Sequence, residues 1–91
     1  MVVTQHHIET IIRLAHGHSA RRLILFGSSA DTPEDADDID LAVDMPGWSA
    51  FAFAEALERE LSARVDVVPF GSDTEDDPFI QAVLRKGKHL L

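Results

Sequence analysis

The sequence predicts a small α/β domain: a mixed β-sheet of three to four strands with helices packed against it. Three observations carry that expectation. Segments with apolar residues at helical spacing alternate with short apolar runs of strand length. Two of those runs, Asp38-Ile39-Asp40-Leu41-Ala42-Val43 and Arg64-Val65-Asp66-Val67-Val68, carry aspartate among apolar residues. The chain has 91 residues, enough for one domain over 1–91, and such a length buries only roughly 60–65% of its extended surface.

Each element follows from local chemistry. Ile8, Ile11, Ile12 and Ala15 recur at helical spacing over Thr4–Ala15, with Thr4 as N-cap and Gly17 as a stop. Arg22–Phe26 is a short strand that ends at Gly27, and a turn of helix is expected from Ser28, followed by a loop containing Pro33. Asp38–Asp44 is the second strand, closed by Met45-Pro46-Gly47. Ser49 can cap a helix whose apolar face is Phe51, Ala54, Leu57 and Leu61, with Glu55, Glu58 and Arg59 directed outward. Val65–Phe70 is the third strand. Asp77-Pro78 reads as a helix start, with Asp as N-cap and Pro at the first helical position, so the last helix is Phe79–Lys86. Trp48, Phe51, Phe53, Phe70 and Phe79 are assigned to core or rim packing.

Composition narrows the function classes. There is no cysteine, so disulfides and thiolate metal sites are excluded and no oxidising compartment is implied. Uncharged apolar stretches fall far below the ~20 residues that span a bilayer. Met1-Val2-Val3-Thr4 lacks the basic region of a signal peptide. A cytoplasmic location is therefore expected. The net charge of −8 argues against DNA or RNA as a main partner. Much of it lies in Asp31, Glu34, Asp35, Asp37, Asp38, Asp40 and Asp44, with a second cluster at Asp73, Glu75, Asp76 and Asp77. Outside the strands these are read as solvated loops. The five histidines do not form a zinc site: His6 and His7 are adjacent and point about 100° apart on a helix, and His16 and His18 flank Gly17 at a helix end.

Asp38 and Asp40 cannot be dismissed as solvated loop. Alternation sends them to one face of the strand and Ile39, Leu41 and Val43 to the other. Carboxylates at that spacing repel each other unless protons or a cation neutralise them. A hard divalent ion such as Mg²⁺ suits carboxylate oxygens and keeps positions open for phosphates. Gly27-Ser28, eleven residues upstream of Asp38, offers a turn without a Cβ, a backbone N–H and a hydroxyl, which together can hold a phosphate. The combination points to a metal-dependent nucleotide site.

An apolar strand, Gly27-Ser28, a short spacer, Asp38-Ile39-Asp40-Leu41 and a later strand carrying Asp66 together resemble the minimal nucleotidyltransferase (MNT) family. That family is a reduced form of the polymerase-β-like nucleotidyltransferase fold. The resemblance spans nearly the whole chain, including the closing Ile80–Leu91 segment with its Gly87 and short apolar ending. It implies that Asp38, Asp40 and Asp66 are catalytic and hold Mg²⁺, and that Gly27, Ser28 and Ser29 contact ATP. It also implies a HEPN-domain toxin as partner, with a tyrosine hydroxyl of that toxin as acceptor of AMP, so that the chain would act as its antitoxin. The spacer departs from the family. Position 29 is Ser where many members place Arg nearby, and Ser29–Asp37 contains no Lys or Arg. Phosphate charge would then fall to the metals and to Arg21 or Arg22. Two alternatives stay open: a binding-only antitoxin with a degenerate site, and nucleotidyl transfer to a small-molecule acceptor.

Overall fold

The computed structural model describes residues 2–91; Met1, read above with the N-terminal segment, lies outside them. Thr4 opens the first helix as expected. Its hydroxyl accepts from the His7 N–H at 3.3 Å, while its own N–H donates to His7 Nδ1 at 2.9 Å. This is a capping box with histidine in the position usually held by Glu or Gln. Helix α1 (Gln5–Gly17) buries Thr10, Ile11 and Ala15.

The sheet is mixed and four-stranded. It contains β1 (Leu23–Phe26), β2 (Ile39–Asp44), β3 (Val65–Phe70) and a two-residue β4 (Lys88–His89), in the order β3-β2-β1-β4. Strand β1 pairs antiparallel with β2 and β4, whereas β2 and β3 run parallel. Helix α3 (Gly47–Leu61) crosses between the parallel pair, and α4 (Pro78–Lys86) leads into β4. Between β1 and β2 lie the single helical turn α2 (Ser28–Asp31) and a 3₁₀ turn at Pro33–Asp35.

Strand alternation divides the apolar residues between two faces. Leu23, Leu25, Ile39, Leu41, Val43 and Val65 pack with Ile11, Phe53 and Leu57 of α1 and α3. Ile24, Ala42 and Phe70 pack on the other face with Ile80 and Val83 of α4. Helix α4 lies over β1. The start of β2 and β3 on that second face is left for the aspartates, because Asp40 shares its face with Ala42. Gly87 makes the α4–β4 corner close-fitting. A Cβ there would collide with Ile24 Cγ2 and stand 2.7 Å from Val83 O and 3.1 Å from Leu25 O. Strand β3 is an outer strand, and it carries Pro69 and the exposed Asp66.

Three expectations are corrected. Strand β2 begins at Ile39, so Asp38 stands one residue before it. Helix α3 starts at Gly47 rather than after Ser49, and Ser49 is buried within its first turn. Its core-facing stripe is Ala50, Phe53 and Leu57, whereas Phe51 is 70% exposed. Two phenylalanines two residues apart sit on different sides of a helix, and the alanines around them leave its phase to tertiary packing. Of the aromatic residues assigned to packing, Phe53 and Phe70 are buried, while Trp48, Phe51 and Phe79 are exposed. The start of α4 matches its reading: Asp77 Oδ1 accepts from the Phe79 N–H at 2.8 Å, with Pro78 at the first helical position. Among the described residues no helix is long and apolar enough to cross a membrane.

Candidate active site

The site begins where β1 runs out. Gly27 has φ +67° and ψ −153°, a conformation open essentially to glycine alone. A Cβ at this position would also lie 2.6 Å from Asp40 Oδ2. Glycine thus serves two purposes here, allowing the turn and letting the Asp40 carboxylate lie against the backbone.

From Gly27 the chain enters α2. The N–H groups of Ala30 and Asp31 both donate to Gly27 O, at 3.1 and 3.0 Å. The half-buried Ser28 accepts from the Asp37 N–H at 3.3 Å, tying the two ends of the spacer together. Ser29 has turned inward. It is fully buried, donating to Phe26 O at 2.7 Å and accepting from the Asp40 N–H at 3.1 Å. The expectation that Ser29 contacts nucleotide is therefore revised: its hydroxyl stitches β1 to β2 at Asp40 and has no open side. Only the three-dimensional ladder reveals this, since Phe26 and Asp40 are register partners.

Strand register sets two of the carboxylates side by side. Asp40 lies beside Asp66 in the parallel β2–β3 pair, and Asp38 is two residues upstream. A one-residue slip would have turned Asp66 to the opposite face. Burial, followed by the charges of Asp66 and Asp38, pushes the Asp40 carboxyl above the usual carboxylate range. Asp38 is half-buried and Asp66 exposed, and among the described residues neither side chain enters an ion pair. Among the described residues no three His, Cys, Asp or Glu side chains are gathered closely enough to hold an ion as they stand. Their donor chemistry nevertheless fits Mg²⁺. All three are hard oxygen ligands, and the repulsion that raises Asp40 is what a divalent ion would relieve.

Arg21 and Arg22 do not belong to this site. Arg22 lies at the opposite end of β1, roughly 16 Å of extended strand from Gly27. Its guanidinium donates to Asp44 at 2.9 Å and Glu75 at 2.5 Å and lies over the Phe70 ring, 4.8 Å from the centroid. Arg21 and Arg22 line the larger cavity, about 640 Å³, at that far end. A smaller cavity of about 170 Å³ adjoins Gly27 itself, walled by Phe26, Phe79, Val83 and Lys86. The chemistry, not cavity size, locates the candidate site. Sequence reasoning did not bring Lys86 to Gly27, because only the packing of α4 on β1 puts them together.

No protein-family model matches the chain, and no curated protein matches it. Solved structures do. One described as a minimal nucleotidyltransferase is 28% identical, with a TM-score of 0.73, covering 92% of this chain and 89% of that one. The chain has the minimal nucleotidyltransferase fold. The tri-AMPylated Shewanella oneidensis HEPN toxin in complex with MNT antitoxin matches at 26% identity and a TM-score of 0.71, covering 96% of this chain and 71% of that one. A toxin–antitoxin structure with AMP-PNP matches at 24% identity and a TM-score of 0.70, over 92% and 72% of the two chains. The minimal nucleotidyltransferase fold agrees with the resemblance read from the sequence, and the mixed sheet with its covering helices is the one expected.

Proposed function

We propose that this chain is a Mg²⁺-dependent nucleotidyltransferase antitoxin that transfers AMP from ATP to a hydroxyl, a tyrosine, of a partner HEPN toxin. The observation that carries this reading is the placement of Asp40 beside Asp66 in register, with Asp40 Oδ2 against Gly27. The AMPylated HEPN toxin and the AMP-PNP bound among its structural neighbours support the choice of nucleotide and acceptor.

In this mechanism Asp38, Asp40 and Asp66 would hold Mg²⁺. The ion would neutralise charge on the triphosphate and on the attacking and leaving oxygens of an in-line displacement. Asp66 is exposed on the outer strand, where it would meet the acceptor and orient its hydroxyl. Gly27 brings backbone close to the phosphates without a side chain in the way. Ser28 lies beside them at the mouth of the turn, and Ser29 fixes the backbone of Asp40. The oxygen of the acceptor forms a new bond to the α-phosphorus as the bond to the β-phosphate oxygen breaks. Pyrophosphate leaves.

The test is label transfer from α-labelled ATP to a co-purified HEPN partner in the presence of Mg²⁺. Label on the partner, lost in Asp38→Ala/Asp40→Ala, is the expected result. A second reading has its own observation, the absence of Lys and Arg from Ser29–Asp37: a binding-only antitoxin. No label, with a complex that still silences the partner after the double substitution, would establish that reading instead.

A further inference from the structure

The spacer after Gly27-Ser28 carries no cation, so a triphosphate placed there would find no positive side chain in that segment. The fold brings one in from elsewhere. Of the eight Lys and Arg residues, Lys86 alone lines the cavity that shares Gly27 with the carboxylate site. Arg21 and Arg22 line the cavity at the far end of the sheet, and Arg13 faces Glu60 at 3.8 Å. Lys88 pairs with Leu25, whose side chain belongs to the face opposite the aspartates. Arg64 immediately precedes β3, on the Asp66 side of the site.

The order across the sheet gives the cavity a meaning. Moving from the outer strand inward come Asp66 on β3, Asp40 on β2, Gly27 at the end of β1, and then α4 with Lys86. In an in-line displacement the attacking and leaving oxygens lie on opposite sides of the phosphorus. If the acceptor enters at Asp66, the leaving pyrophosphate points toward Gly27 and the cavity beyond it. Phe26, Phe79 and Val83 wall that cavity with apolar surface, and Lys86 stands exposed at its edge. Lys86 enters no ion pair among the described residues, so its charge is free for a ligand. Asp31, on the same cavity, works against an anion there.

Resting on the nucleotidyltransferase reading above, we propose that Lys86 of the closing helix binds the β- and γ-phosphates, replacing in space the cation that the spacer lacks in sequence. Lys86 is thus a binding residue for the leaving group. It has no role toward the base or the acceptor. Asp31 limits the affinity from the other wall.

Calorimetric titration of the intact chain with Mg²⁺·AMP-PNP, Mg²⁺·pyrophosphate and AMP tests this. Lys86→Ala is expected to weaken the first two by about tenfold and leave AMP unchanged, the loss of one charge-assisted phosphate contact. Lys86→Arg should recover most of that loss. Asp31→Asn should tighten both phosphate ligands. Arg85→Ala, the neighbouring cation in the same helical turn, should change none of them. Equal weakening by Arg85→Ala and Lys86→Ala would assign the effect to general charge and overturn the proposal. So would Lys86→Ala binding pyrophosphate as wild type does. If wild type binds Mg²⁺·AMP-PNP and loses it on Asp38→Ala/Asp40→Ala while Lys86→Ala does not matter, only the role of Lys86 fails. If wild type binds neither phosphate ligand, the nucleotidyltransferase reading falls along with it.

Discussion

Replacing Gly27 with alanine tests the local geometry most directly. The native backbone there, φ +67° with ψ −153°, costs an L-residue about 1–3 kcal/mol. The new Cβ would start 2.6 Å from Asp40 Oδ2, so the carboxylate must leave its preferred rotamer, for another ~0.5–1.5 kcal/mol. The expected loss is about 2–4 kcal/mol, and at ~4–8 °C per kcal/mol the thermal midpoint falls by at least about 8 °C. Urea denaturation followed by circular dichroism reads the free energy directly. Repeating the substitution in an Asp40→Ala background separates the two contributions, because the backbone cost persists while the clash disappears. The penalty should shrink by ~0.5–1.5 kcal/mol in that background. If Gly27→Ala matches wild type within ~0.5 kcal/mol, neither the positive φ nor the contact with Asp40 holds, and the geometry assigned to the site is wrong.

Four further outcomes are expected. Asp40→Asn should stabilise the metal-free chain, since burial and the charges of Asp66 and Asp38 raise the Asp40 carboxyl above its ordinary 3.8. The folded state then holds that proton more tightly than the unfolded state. Stability from this group is thus fully present below pH 3.8 and lost as pH rises through the raised folded value. Denaturation midpoints of the two proteins should therefore diverge as pH climbs from 4 to 7, and parallel curves would refute the repulsion. Gly87→Ala should cost about 1–3 kcal/mol or more, because two of its new neighbours are backbone carbonyls that cannot swing away. Ser29→Ala should cost about 1–3 kcal/mol by orphaning the Asp40 N–H, and a hydrogen-exchange protection factor at Asp40 left unchanged would sink that account. In α3, Phe53→Ala should cost about 3–5 kcal/mol and Phe51→Ser within ~0.5 kcal/mol, a contrast that checks the phase of the helix.

The face of Asp40 was legible because a strand has a period of two, which sets it opposite Ile39 and Leu41 before any fold is known; Asp38, one residue before β2, falls outside that alternation. Thr4 and Asp77 were legible as caps because capping is settled within four residues. What a neighbouring segment decides was not legible. The pairing of Asp40 with Asp66 depends on the register of two strands joined through a helix of 15 residues. The inward turn of Ser29 depends on where β1 meets β2, and the approach of Lys86 to Gly27 on α4 docking over β1. The face of α3 was misplaced for a related reason. Alanine-rich turns leave several rotations equally apolar, and the sheet chose the one that buries Phe53.

Asp66 lies on the exposed rim of the sheet, and its position there has a consequence for solubility. A strand with one bare side offers its amide and carbonyl groups to any extended chain that drifts past, and Val65, Val67 and Val68 are the residues such a chain would favour. Pro69 has no N–H to offer, and a charged Asp66 discourages stacking of one copy on another. Neutralising Asp66 to probe catalysis therefore also removes a guard. Loss of activity in such a variant should be interpreted only alongside light scattering, since a clumped preparation and a crippled enzyme would look alike in a turnover assay.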